Sequence, residues 1–80
     1  MNTFQAIDVS YLRPNRTIET ILLKNSTFER ILYVYNFEGT HFRVFESISD
    51  ILKFFVDKLE PSISFDNEIQ LEDYLGYIDL

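Results

Sequence analysis

Between Phe4 and Leu12 the chain alternates. Ile7, Val9 and Tyr11 take one side while Asp8 and Ser10 take the other, the period of a half-buried strand. Arg13-Pro14-Asn15-Arg16 follows as a turn, with φ preset at Pro14 and Asn15 tolerant of the next position. Thr17 to Lys24 is rich in β-branched residues and reads as a second strand, closed by a turn at Asn25-Ser26. Phe28 to Phe37 carries bulky apolar residues on both sides. Phe28, Ile31, Leu32 and Tyr35 also fit helical spacing, but Tyr33, Val34, Tyr35 and Phe37 favour a strand, and Glu38-Gly39 makes a two-residue hairpin turn. Thr40 to Phe45 then returns as the fourth strand.

At residue 46 the period changes. Ile48, Ile51, Leu52, Phe55, Val56 and Leu59 recur as one face of an amphipathic helix. Ser47 is its N-cap, Asp50 sits near its positive end, and Pro61 stops it by pushing residue 60 out of helical geometry. Beyond Pro61, Asn67 caps a shorter helix with Gln70 at the reciprocal position. Leu71, Tyr74, Leu75 and Ile78 share one face of that helix, and Gly76 is a point where it could end.

Pairing across Glu38-Gly39 sets Phe37 opposite Thr40, Tyr35 opposite Phe42 and Tyr33 opposite Val44, one aromatic face for the long helix to cover. A two-residue turn at Asn25-Ser26 sets Ile31 against Thr20. The opposite face then holds Ile21, Leu23, Phe28, Leu32, Val34 and Phe45, mixed with Arg30, Asn36, His41 and Arg43. It is too apolar to stay wet and too polar for an ordinary core. Its cover is either the C-terminal helix or a partner surface, a second copy of the chain included. A one-residue slip in either turn exchanges the faces.

Charge then narrows the functions. Thirteen acids oppose seven bases, and after Lys58 there is no base at all. Such a field repels nucleic acid and anionic membrane and favours a basic protein surface. Without cysteine there are no disulfides or thiolate metal sites, and 46% hydrophobic residues are enough for one self-sufficient core. The N-terminal segment has no basic region for a signal peptide, and no apolar run is long enough to span a bilayer. A cytoplasmic protein is expected.

Chemistry is sparse. His41 is the single histidine, and no Ser-His-Asp or Cys-His arrangement can be named around it. Gly39 and Gly76 stand alone, so there is no phosphate cradle. Asp66, Glu68, Glu72 and Asp73 lack the pattern of a calcium loop, and neither a metal nor a cofactor is expected. The interaction candidates are Phe54, beside the apolar stripe of the long helix, and a base-free tail. In the tail Asp66, Glu68, Glu72, Asp73 and Asp79 alternate with Phe65, Tyr74 and Tyr77, a pattern that joins charge steering to apolar anchoring.

The expectation is one α+β domain over residues 1–80. A four-stranded antiparallel meander (1–45) is followed by an amphipathic helix (46–60) packed on one face and an acidic tail (61–80) with a short helix. Its expected role is a non-enzymatic interaction module, an inhibitor or adaptor that docks on a basic protein surface. The alternatives are a self-associating structural subunit and, behind it, a small enzyme using His41. In size and charge alone, the chain resembles the small acidic proteins with which phages block host nucleic-acid-handling enzymes, anti-CRISPR proteins among them.

Overall fold

The computed structural model describes all residues from Met1 to Leu80. Five strands form one antiparallel meander in chain order: β1 (Thr3–Arg13), β2 (Arg16–Lys24), β3 (Glu29–Phe37), β4 (His41–Phe45) and β5 (Ile63–Phe65). Helix α1 (Ile48–Phe55) connects β4 to β5, and α2 (Glu68–Tyr77) follows β5. The fold is α+β, with one strand more than predicted. β5 is only Ile63-Ser64-Phe65, too short for any period to reveal. It forms because the chain returns along β4, pairing Phe42 with Phe65 and Val44 with Ile63.

The β3–β4 hairpin corrects the predicted register. Glu38 and Gly39 adopt the left-handed conformations of a two-residue turn (φ 57° and 74°), closed by Thr40 N–H to the Phe37 carbonyl at 3.1 Å. However, the Thr40 hydroxyl also donates to that carbonyl, and the Asn36 side chain accepts from Gly39 N–H at 2.8 Å. Thr40 is thereby held in the turn, and Phe37 pairs with His41 instead. One residue of slip turns β4 over. Phe42 and Val44 join Val34, while His41, Arg43 and Phe45 join Tyr33, Tyr35 and Phe37. At the β2–β3 turn the Asn25 side chain accepts from both Thr27 N–H and Phe28 N–H, so the loop spans four residues. Leu22 therefore pairs with Ile31, a shift of two that leaves the faces unchanged.

The exchange resolves the mixed face that the predicted register produces. Ile21, Leu23, Leu32, Val34, Phe42 and Val44 now form a continuous apolar layer, filled from outside by Leu71 and Leu75 of α2. The face assigned above to a cover or an interface is thus the protein's own core. Phe28, placed on it from sequence, is exposed in the loop, and Phe45 lies on the other side against Phe54 of α1. β1 takes the outer edge and is solvent-exposed throughout. A bulge between Ala6 and Asp8 inserts Ile7, so Val9 rather than Asp8 follows Ala6 on the core side.

The helices keep their predicted caps. Ser47 Oγ accepts from Asp50 N–H at 3.1 Å, and Asn67 Oδ1 accepts from Gln70 N–H at 2.9 Å. The Gln70 side chain reaches past the cap to Asp66 N–H. α1 ends well before Pro61: Lys58 turns left-handed (φ 60°), and Leu59 N–H returns to the Lys53 carbonyl. α2 runs through Gly76 to Tyr77, because Asn2 takes up its final carbonyls. Asn2 N–H donates to Gly76, and its side-chain amide donates to Leu75 at 3.1 Å and Ile78 at 2.8 Å. Asn2 is the one buried polar side chain. Asn2→Ala strands buried carbonyls and is expected to cost about 1–3 kcal/mol. Thermal unfolding should show it as a Tm lowered by roughly 4–8 °C per kcal/mol.

Candidate functional site

The sheet separates two surfaces of opposite character. On the α2 side, the helix buries Leu71 and Leu75 and turns its acids outward. Glu68, Glu72 and Asp73 are exposed, Asp79 follows just past the helix, and none of the four is in an ion pair. Along the same outer surface Ile69 and Tyr77, each more than 70% exposed, lie four residues before and after Asp73. Residues at i, i+4 and i+8 share a helical face. Ile69, Asp73 and Tyr77 thus form one outward stripe, with the unpaired carboxylates of Glu68 and Glu72 beside it.

The structure brings together Glu68, Glu72, Asp73 and Tyr77 of the predicted tail residues, with Asp79 beside them. It separates the others. Tyr74 turns inward, its ring 5.1 Å from that of Phe65. Asp66 stands at the far edge of β5, where its Oδ1 is 3.5 Å from His41 Nδ1, an ion pair whenever the imidazole is protonated. Phe54 lies on the opposite side of the sheet, wedged among Phe45, Phe55 and Arg43. Its partial burial comes from packing within its own fold.

The α1 side holds a feature that the predicted register hid. Tyr35 and Phe37 on β3, His41 and Arg43 on β4, and Phe54 and Phe55 on α1 border an open groove of about 490 Å³, completed by Ser64 of β5 and by Asp66 just beyond it. Phe55 meets Tyr35 edge-on at 5.1 Å, and the Arg43 guanidinium lies over Phe54 at 4.6 Å. Arg43 also donates to Ser62 Oγ at 3.2 Å and approaches Glu60 at 3.6 Å. The alternation of His41 and Arg43 with Phe42 and Val44 was visible in sequence. Only the slip at Thr40 decides that the polar pair faces the aromatic helix.

α1 rests on the sheet through Ile51, Phe54 and Phe55, leaving Ile48, Leu52 and Val56 exposed along its other apolar flank. No three His, Asp or Glu side chains converge as a metal ion would need. No helix is long and apolar enough to cross a membrane. Against known proteins, no family model matches the chain, and no curated protein and no solved structure matches it significantly.

Proposed function

We propose that the protein is a non-enzymatic interaction module, an inhibitor or adaptor, that docks the outer face of α2 on a basic surface of a protein partner. The observation that carries this reading is the outward stripe of Ile69, Asp73 and Tyr77 with Glu68 and Glu72 beside it, none of the three carboxylates in an ion pair. Carboxylates without intramolecular counter-ions keep their full field for steering a cationic surface, and the flanking apolar groups hold it once it arrives. The rest of the chain acts as the platform. α2 is anchored by Leu71 and Leu75 inside and by Asn2 at its end, so its outer face is presented without an ordering cost on binding.

A self-associating subunit is the second reading, favoured by the exposed Ile48, Leu52 and Val56 flank of α1. One experiment separates the two. The tagged full chain and its Glu72→Lys/Asp73→Lys variant are used for affinity capture from the native cell at low and moderate salt. Both substitutions are on exposed positions and should leave thermal unfolding nearly unchanged. The docking reading expects one stoichiometric basic partner, weakened by salt and lost by roughly tenfold or more in the variant. Equal capture by the variant defeats it. Recovery of the chain alone, at a mass above the monomer, moves the assignment to self-association.

A further inference from the structure

We propose that the groove beside α1 binds a planar aromatic anion: one ring or two fused rings carrying a carboxylate or a phosphate. At about 490 Å³ the groove falls within the range of small-molecule sites. Its walls are the rings of Phe37, Phe54 and Phe55, with a polar handle at Tyr35. Tyr35 is 7% exposed and lines the groove. No side-chain polar atom of the protein is both buried and unpartnered, so its hydroxyl meets solvent at the groove, where it can donate to or accept from a ring edge.

The anion is argued from register and charge. Arg13, Arg16, Phe37 and His41 are successive cross-strand partners from β1 to β4, one row on the α1 face; Tyr35, Arg43 and Ser64 make the next row. Arg13 and Arg16 therefore stand opposite one another, a like-charge pair that is unfavourable alone. Neither is in an ion pair, although acids outnumber bases thirteen to seven. The Arg16 guanidinium lies 4.0 Å over the Phe37 ring, as Arg43 lies over Phe54. Arg43 is already held by Ser62 and Glu60, so Arg16, beside the Phe37 ring at the margin of the groove, is the guanidinium left for the anionic group of a ring stacked there. Two carboxylates stand nearby: Glu60 is paired with Arg43, and Asp66, which itself lines the groove, lies 3.5 Å from His41 Nδ1 and is paired when that imidazole is protonated. The site lies across the sheet from α2 and does not depend on docking there.

The test follows backbone amide shifts of the isotope-labelled full chain during titration with adenosine monophosphate and with indole-3-carboxylate, and with adenosine as an uncharged counterpart. Saturable shifts concentrated in β3, β4 and α1 are expected for at least one anion, and the responding anion names the source of the ring. Adenosine should bind roughly tenfold or more weakly than its monophosphate if that anion responds, and Arg16→Gln should weaken the responding anion about tenfold. Phe37→Leu keeps apolar volume but removes the ring face, and should weaken it likewise. Thermal unfolding of both variants checks that the fold is intact. The proposal is overturned by no saturable shift with either anion at millimolar concentration, by shifts centred on α2, or by unchanged affinity in Arg16→Gln.

Discussion

Phe45→Ala is expected to remove about 3–5 kcal/mol of stability, while Phe28→Ala should change it by no more than about 0.5 kcal/mol. Phe45 is 0% exposed, lies between the sheet and α1, and packs its ring 5.6 Å from that of Phe54. Truncating it opens a cavity that neither a β-strand nor a short helix can collapse to fill. Phe28 is 56% exposed in the β2–β3 loop, where its truncation leaves no cavity. For a domain of this size the total stability is roughly 4–12 kcal/mol, so the first variant should unfold at very low urea and the second with the native protein. Equal midpoints for the two would contradict the register described here. The four-residue loop at Asn25 and the slip at Thr40 together separate two phenylalanines that the sequence pattern puts on the same face.

These two residues also show what periodicity can reveal and what it cannot. Both helices and their caps were legible, because the spacing of Ile48, Ile51, Leu52 and Phe55 and the chemistry of Ser47 and Asn67 act within a few residues. The Pro14-Asn15 turn was legible for the same reason: Arg13 pairs with Arg16 around it, as the turn requires. The register of β4 was not. It rests on whether Thr40 joins the ladder, a balance of one or two hydrogen bonds from Asn36 and Thr40 that no hydrophobic pattern records. The length of α1 was overestimated because its apolar stripe continues through Val56 and Leu59, both exposed beyond the last helical turn. β5 and the Asn2 contact depend on segments brought together from distant parts of the chain.

The same balance decided the candidate sites. The acids of α2 could be read directly, since Leu71 and Leu75 mark its inner face and Asp73 falls opposite them, with Glu72 on the flank and Glu68 at the first turn. The aromatic groove could not, because placing His41 and Arg43 beside Phe54 and Phe55 needs the hairpin slip first. Polar residues that would have spoiled the core under one register border an open groove under the other. Arg16 joins them by its pairing with Phe37, although the two are far apart in sequence.

Removing residues 61–80 should abolish cooperative unfolding altogether. The deletion takes β5 from the edge of the sheet, and Leu71 and Leu75 from the core layer above Ile21, Leu23, Leu32 and Val34. Losing either leucine alone costs about 2–5 kcal/mol, so losing both removes as much as the whole domain is expected to hold. Asn2 is left without its acceptors, and an apolar sheet face opens to water with nothing in the remaining chain to cover it. Denaturant titration followed by far-UV circular dichroism should then give a sloping, non-cooperative change, accompanied by binding of a hydrophobic dye. A sharp transition in the shortened chain would mean that α2 is an appendage, and its outer acids could be studied by deletion. With the expected result the inner residues of α2 hold the sheet, so the proposed recognition by Glu72 and Asp73 must be tested by substitution at the surface, with Leu71 and Leu75 left in place.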